Sequence, residues 1–137
     1  MKIPFAGGCA CGAIRYECTA EPILVLNCHC RDCQRAAGSA CASGIFVPAT
    51  DLTFTKGTAK YYVSTADSGN IASRGFCAEC GSPVAAKQSA FPVFVIYAAS
   101  LDDPSDHRPT MDIFTSSAQP WDFMDPALPK YSRGVGS

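Results

Sequence analysis

Short hydrophobic runs recur along this chain, and glycine, proline, asparagine or aspartate separates most of them. The runs are rich in β-branched and aromatic residues, which favour strands over helices. This pattern predicts strands at residues 13–18, 23–26, 42–47, 52–55, 59–63 and 93–97. Within the first of these runs, the alternating residues Ile14, Tyr16 and Cys18 are typical of one buried strand face. The sequence therefore predicts a mainly β protein.

One segment is predicted to be a helix, residues 31–37, which lies directly after a group of cysteines. Gly38 follows it, and glycine commonly ends helices because it adopts the left-handed conformation found there. A second, single helical turn is predicted at residues 101–105. Residues 120–137 contain three prolines and are expected to be irregular. We expect Trp121 and Phe123 to anchor this tail to the body of the protein.

Composition and charge limit the classes of function. The 137 residues suffice for one domain, 1–137, and the chain is 47% hydrophobic and 17% charged, as in globular proteins. The net charge is -1 and no run of lysine or arginine occurs, which disfavours nucleic acid and anionic membranes as partners. The longest apolar stretch, residues 91–99, is too short to span a bilayer. The start MKIPFAGG lacks the apolar segment of a signal peptide, so we expect a cytoplasmic protein of undetermined oligomeric state.

Nine cysteines in a reducing compartment favour metal ligands or catalytic thiols over disulfides. Cys9 and Cys11 form a C-x-C pair, and Cys77 and Cys80 form a C-x-x-C pair. A glycine follows each pair, as in zinc knuckles, where it relieves the tight backbone after the second ligand. Together the pairs complete a tetrahedral four-cysteine zinc site. The alternative, four thiols buried near turns, does not account for the matched glycines.

The third group, Cys28, Cys30 and Cys33, has three thiols and no evident fourth ligand. On extended backbone His29 points away from its cysteine neighbours, and His107 is distant in a polar loop. We expect both histidines to be solvated or locally hydrogen-bonded. Three protein ligands and an open position are typical of catalytic zinc.

Two alternatives bear on the remaining thiols. A redox pair formed by Cys30 and Cys33 would be expected within a βαβ pattern, which this chain lacks. Cys18 and Cys41 stand apart from the three groups and are expected to be apolar filler. The sequence thus predicts two zinc ions per chain, one enclosed by four cysteines and one held by three.

These motifs resemble the family of glutathione-dependent formaldehyde-activating enzymes, which shares its domain with centromere protein V. The resemblance rests on GCxCGxxRY from residue 8, CHCxxCQR from residue 28, FCxxCGS from residue 76 and the tail DIFTSSxxPW from residue 112. It implies a β-tent (Mss4-like) zinc-binding fold. It also implies a structural zinc at Cys9, Cys11, Cys77 and Cys80 and a second zinc, with an open position, at Cys28, Cys30 and Cys33.

The family activity implied is a carbon–sulfur lyase reaction in the synthetic direction, which adds glutathione to formaldehyde. Coordination to zinc would deprotonate the incoming thiol, or zinc would instead polarise the aldehyde oxygen. Three thiolate ligands temper the Lewis acidity of zinc and favour the first route. Arg31 and Arg35, on the predicted helix, are candidate partners for the carboxylates of a glutathione-like thiol, although they could equally be ordinary solvated helix charges.

A second hypothesis is a non-catalytic, zinc-stabilised binding module for a protein or a small thiol. Formaldehyde adds to thiols in water without help, so a protein that only binds the thiol could resemble a catalyst. Nucleic-acid binding, which the relation to centromere protein V suggests, is disfavoured by the charge balance.

Overall fold

The hydrophobic runs form β-strands in a computed structural model of the chain, which describes residues 1–66 and 68–137. Within these residues the strands are β1 (Phe5–Gly8), β2 (Arg15–Cys18), β3 (Leu24–Cys28), β4 (Ala42–Pro48), β5 (Leu52–Lys56), β6 (Lys60–Thr65), β7 (Ile71–Phe76), β8 (Pro83–Gln88), β9 (Phe91–Tyr97) and β10 (Asp112–Ile113). The helix α1 spans Arg31–Ala37, and 3₁₀ turns lie at Ala49–Asp51, Ala98–Ser100 and Thr115–Ser117. The prediction of a mainly β protein with one short helix is confirmed for the described part of the chain.

The strands form two sheets. A three-stranded sheet has the order β1-β2-β5, and a seven-stranded sheet has the order β10-β3-β4-β9-β8-β7-β6. The neighbours are antiparallel, except that β10 runs parallel to β3. Each of the six predicted strands is present, whereas β1, β7, β8 and β10 were not predicted. β1 consists largely of glycine and alanine, and β8 contains a proline and two alanines among its six residues; these residue types carry little strand preference.

The hydrophobic core lies between the two sheets. Ile45, Val47 and Ile96 of the large sheet are fully buried in one cluster with Tyr16 and Leu52 of the small sheet. Edge-to-face aromatic contacts lie in the same core. The centre of the Phe54 ring is 6.4 Å from that of Tyr16 and 5.9 Å from that of Phe94. Such contacts add to the stability gained from burial.

The opposite face of the large sheet carries the helix, and we call it the helix face. The strand register places Leu26, Gly44 and Tyr97 side by side on it. Arg74 of β7 occupies the same face, through its register with Ala86 of β8. Because side chains of a strand alternate between its two faces, successive residues of the same strand point in turn to the helix face and to the core.

Helix α1 begins and ends as predicted. Cys30 is its N-cap, and the Cys33 N–H donates to the Cys30 sulfur at 3.3 Å. Gly38 has a φ of 65°, and its N–H donates to the Gln34 carbonyl at 2.9 Å. Among the described residues no helix is both long enough and apolar enough to cross a bilayer.

The prediction of a helical turn at 101–105 is wrong. The turn lies upstream at Ala98–Ser100, where the Ser100 hydroxyl donates to the Tyr97 carbonyl at 2.7 Å. Leu101 is extended and forms a β-bridge with Gly7, and the Asp102 N–H donates to the Ala6 carbonyl at 3.0 Å. These bonds to β1 hold the segment in an extended conformation.

The prediction that Trp121 and Phe123 anchor the tail is also wrong, because their exposed fractions are 70% and 89%. Backbone hydrogen bonds attach the tail instead. The Asp112 N–H donates to the Pro129 carbonyl, and the Tyr131 N–H donates to the Asp112 carbonyl, both at 2.9 Å. The tail therefore lies beside β10.

Gly7 gives a test of the packing between the sheets. A Cβ at this position would overlap the Ser100 carbonyl and the buried ring of Tyr16. We expect Gly7→Ala to lower the free energy of unfolding by about 1–3 kcal/mol, measured by denaturant titration followed by circular dichroism. Gly134→Ala is the matched control, because a Cβ there meets no atom within 4 Å. Equal stabilities of the two variants would contradict this packing.

Candidate metal centres

Four cysteines lie close together in two turns, one turn from each sheet. Cys9 and Cys11 lie in the β1–β2 turn, and Cys77 and Cys80 lie in the β7–β8 turn. The four sulfurs lie within 4.8 Å of one another, and the Cys11 sulfur is 3.7 Å from those of Cys9 and Cys77. We call this group the four-cysteine cluster. It connects the small sheet to the large one.

The local sequence shapes both turns. Gly12 and Gly81 have φ angles of 79° and 76°, in the left-handed region where other residues are strained. The Gly12 N–H donates to the Cys9 carbonyl at 3.2 Å, and the Gly81 N–H donates to the Cys77 carbonyl at 2.8 Å. Each glycine thus turns the chain so that the two sulfurs of a pair face the same point.

The cluster fits a tetrahedral zinc ion. Sulfurs at the usual Zn–S length of about 2.3 Å are about 3.8 Å apart around a tetrahedron, close to the 3.7 Å spacings here. Metal binding requires thiolates. The Ser82 hydroxyl, 3.2 Å from the Cys80 sulfur, and nearby backbone donors lower the pKa of Cys80 to about 5. The Ile14 N–H also donates to the Cys9 sulfur at 3.2 Å.

Cys28, Cys30 and Cys33 form the second group, the three-cysteine cluster. Cys28 ends β3, Cys30 caps α1 and Cys33 lies in the first turn of α1. The three sulfurs lie within 4.8 Å of one another, and no further cysteine, histidine or carboxylate of the described residues joins them. The structure therefore brings these three predicted residues together.

The three sulfurs share protons among themselves. Hydrogen bonds from Cys28 and Cys33 lower the pKa of Cys30 to about 2, against the effect of burial. The same interaction raises the pKa of Cys28. Negative charge is therefore concentrated on Cys30, and a metal ion held by three thiolates would also require Cys28 and Cys33 to lose their protons.

His29, between two of these cysteines, is neither solvated nor locally bonded, so that prediction is wrong. Its side chain is 1% exposed and turns away from the sulfurs. Nε2 lies 2.8 Å from a carboxylate oxygen of Asp112, and Nδ1 lies 3.3 Å from one of Asp122. The His29 N–H donates to the Ile113 carbonyl at 3.0 Å. Strand β10 and the tail thus hold the loop between Cys28 and Cys30.

The two isolated cysteines are closer to expectation. Cys18 is fully buried in the core, as predicted. Cys41 is half-buried and joins neither cluster. The prediction for His107 is also wrong, because this residue is half-buried and its Nε2 pairs with the hydroxyl of Ser43, which is distant along the chain; burial lowers the pKa of His107.

The structure separates the two arginines predicted to bind substrate. Arg31 is exposed and its guanidinium donates to the Gln34 side chain. Arg35 lines a cleft of about 310 Å³ beside the three-cysteine cluster. The described residues that line this cleft are Asp32, Arg35, Ala36, Tyr62, Ser64 and Arg74.

Arg74 is a site residue that the sequence did not indicate. Its Nη2 lies 3.8 Å from the Cys33 sulfur, and its Nη1 lies 3.4 Å from the Ser64 hydroxyl. Burial opposes the charge of Arg74, but the neighbouring Cys33 sulfur outweighs it and raises the pKa of the guanidinium. No local pattern connects Arg74 with Cys33, because the contact depends on the sheet order.

Comparisons with known proteins bear on the whole chain. The family model described as glutathione-dependent formaldehyde-activating enzyme matches residues 4–117. A crystal structure of a Rhodobacter sphaeroides protein is similar, with 18% identity and a TM-score of 0.59, over 92% of this chain and 98% of that one. At this identity the likeness concerns the fold alone. The comparison with curated proteins finds no match. The mainly β fold with one helix is consistent with the β-tent (Mss4-like) fold implied by the sequence resemblance.

Substitution of one cysteine is predicted to have different effects on folding in the two clusters. Cys80→Ser removes a ligand that joins the two sheets, and zinc sites of this kind supply about 10 kcal/mol of folding free energy. We expect this variant to lose zinc and cooperative melting. Cys30→Ser should keep a cooperative melt and lose only the metal of its own cluster. Thermal unfolding and zinc analysis of each purified variant measure both effects.

Cys41→Ser is the matched control, because Cys41 joins neither cluster and its loss should change neither zinc content nor melting. In the wild-type protein a mild chelator should remove the zinc of the three-cysteine cluster first. Loss of both metals in a single unfolding step would show that the clusters do not have separate roles. So would a fully zinc-loaded, cooperatively melting Cys80→Ser protein.

Proposed function

The chain belongs to the family of glutathione-dependent formaldehyde-activating enzymes, and from this membership we propose that it catalyses the addition of a small thiol to an aldehyde. The reaction is of the carbon–sulfur lyase type, run in the synthetic direction. A glutathione-like thiol and formaldehyde are the proposed substrates, and zinc is the proposed metal. The observation that supports this proposal most is the three-cysteine cluster, whose described surroundings offer no fourth protein ligand and include a cleft.

The proposed reaction balances without any other reactant. The sulfur of the thiol forms a bond to the carbonyl carbon while the carbon–oxygen double bond becomes a single bond. The proton of the thiol ends on that oxygen as a hydroxyl group. With glutathione and formaldehyde the product is S-hydroxymethylglutathione, and no oxidant or reductant is consumed.

The cysteines of the three-cysteine cluster would hold zinc as thiolates. Zinc bound there would lower the pKa of an incoming thiol, so that it reacts as the thiolate, which is the nucleophilic form. Arg74, 3.8 Å from the Cys33 sulfur, places a positive charge where negative charge on sulfur must be stabilised. The Arg74 guanidinium cannot act as a proton donor at neutral pH, so its contribution is electrostatic.

The surroundings of the cluster keep its geometry fixed. The His29 ring is hydrogen-bonded to Asp112, and the buried Gln34 side chain donates to the His29 carbonyl at 2.7 Å and to the Ser117 carbonyl at 3.0 Å. The loop that carries Cys28 and Cys30 is thus tied to both β10 and α1. Metal-ligating side chains that are already fixed in this way lower the entropy lost when a reactive site is ordered.

The four-cysteine cluster is proposed to have a structural role. Four thiolates complete the tetrahedron and leave no position for a substrate. Because it joins the turns of the two sheets, zinc there would stabilise the fold instead of taking part in the reaction. The proposal therefore assigns one zinc ion to the fold and one to the chemistry.

Thiol binding gives a direct prediction for the zinc-loaded protein. If the thiol binds as its thiolate, binding releases a proton, and affinity should weaken as the pH falls and protons compete for sulfur. Calorimetry in two buffers of different ionisation enthalpy measures affinity and proton release together. S-Methylglutathione, which lacks an ionisable thiol, should bind far more weakly than glutathione. Equal affinities without proton release would contradict binding through sulfur.

Catalysis is a separate prediction, because formaldehyde also adds to thiols without a protein. Two-dimensional exchange NMR on equilibrated glutathione and formaldehyde measures the rate of hemithioacetal formation. We expect the zinc-loaded protein to accelerate this exchange and Cys30→Ser to abolish the acceleration. If the protein binds thiol but leaves the exchange rate unchanged, the binding-module hypothesis replaces the enzyme.

A further inference from the structure

Strand β6 is an outer strand of the seven-stranded sheet, and no described strand pairs with its outer side. Its register with β7 runs without a bulge from Lys60 to Thr65. An unpaired edge strand exposes N–H and carbonyl groups that can pair with another strand, and proteins commonly block it with proline, charges or a bulge. β6 contains no proline, and Lys60, its one charged residue, lies at the end of the strand. The edge is therefore available for pairing.

The hydrogen bonds of the β6–β7 hairpin show which backbone groups face outward. The Ala66 N–H donates to the Asn70 carbonyl at 2.8 Å. Because antiparallel bonding alternates along a strand, the even-numbered residues of β6 bond to β7. The N–H and carbonyl groups of Tyr61, Val63 and Thr65 therefore point away from β7. Among the described residues these outward groups have no hydrogen-bond partner.

β6 also exposes apolar side chains on both faces of the sheet. Tyr62 lies on the helix face, opposite Arg74, and is 66% exposed. Val63 lies on the other face and is 58% exposed, and Ile71 of β7 is exposed on that same face. A strand added at this edge would cover apolar surface on both faces while it pairs with the backbone. Both effects favour association.

The other outer strands of the two sheets differ from β6. The tail covers β10, where Asp112 forms a β-bridge with Lys130. The outer side of β1 forms a β-bridge from Gly7 to Leu101. β5 has an irregular register with β2, and its exposed side chains are those of threonine and lysine. Of the outer strands that the structure describes, β6 combines a continuous register with exposed apolar residues.

We propose that this edge binds β6 of a second copy of the chain, so that the two large sheets join into one antiparallel sheet. In the proposed register Val63 packs against Val63 of the second copy, and Tyr61 faces Thr65. Of the antiparallel registers, this is the one that pairs all three outward residues of each copy with outward residues of the other. The interface is self-complementary about a two-fold axis, as in most homodimers.

The same register is compatible with the charges of the strand. Lys60 faces the uncharged Ala66 of the second copy, so no like charges oppose each other within β6. On the helix face, Tyr62 faces Ser64 of the second copy. Both residues line the cleft that contains Arg35. Dimerisation would therefore place the edge strand of the second copy along the outer side of this cleft.

Sedimentation equilibrium of the zinc-loaded full chain over a concentration series tests the proposal. We expect the wild-type chain to form dimers. Val63→Lys and Val63→Glu should each raise the dissociation constant of the dimer about tenfold, because each substitution puts two like charges directly opposite one another. An equimolar mixture of the two variants should form dimers again, because a lysine then faces a glutamate.

Ile23→Lys is the matched control, because Ile23 is 61% exposed and lies outside β6. It should leave the dissociation constant within about twofold of the wild-type value. Circular dichroism should show the wild-type strand content for every variant, because the Val63 side chain is exposed in the single chain. An equal weakening by Ile23→Lys would overturn the proposal, because the effect would then not be specific to β6.

Three further outcomes would also overturn it. A wild-type chain that stays monomeric throughout the series, including one that binds a strand of another protein at this edge, would show that a second copy is not the occupant. A dimer that Val63→Lys leaves intact would be formed by another surface. A mixture of the two variants that stays monomeric would exclude the register in which Val63 faces its counterpart. These outcomes do not depend on thiol binding or catalysis, so the proposed function is tested separately.

Discussion

The meeting of two turns at the four-cysteine cluster is the constraint on which the rest of this structure depends. Cys11 and Cys77 are 66 residues apart along the chain, and their sulfurs are 3.7 Å apart in space. One belongs to a turn of the small sheet and the other to a turn of the large sheet. Sulfurs that carry thiolate charge repel one another unless a cation lies between them. A metal ion bound there would therefore stabilise the docking of the two sheets, and with it the core around Tyr16 and Ile45.

The second cluster is built differently, and this difference explains the proposed division of roles. Its three cysteines lie within six consecutive residues, so they do not have to join distant parts of the chain. Distant residues support them from outside instead: Asp112 hydrogen-bonds His29, and Arg74 contacts Cys33. A local site with one side left open to a cleft can exchange a ligand without loss of the fold. A site between two sheets cannot.

The features that the sequence predicted are those with a local physical cause. β-Branched and aromatic runs predicted strands such as β4 and β9, and glycines after cysteine pairs predicted convergent turns. β8 was missed because its sequence, PVAAKQ, has little strand preference of its own, and pairing with the neighbouring strands places it in the sheet. The partners of His29 and the position of Arg74 depend on the sheet order, and no local pattern contains that information. The exposure of Trp121 shows that an aromatic residue alone does not predict an anchor.

X-ray absorption at the zinc edge, with and without glutathione, tests the central claim most directly. We expect about three and a half sulfur neighbours per zinc ion in the free protein, because four cysteines would surround one ion and three would hold the other. Addition of glutathione should raise this average to about four, as a thiol takes the open position. An average of four in the free protein, or no increase with glutathione, would contradict the account. The three-cysteine cluster would then have no position at which a thiol could be activated.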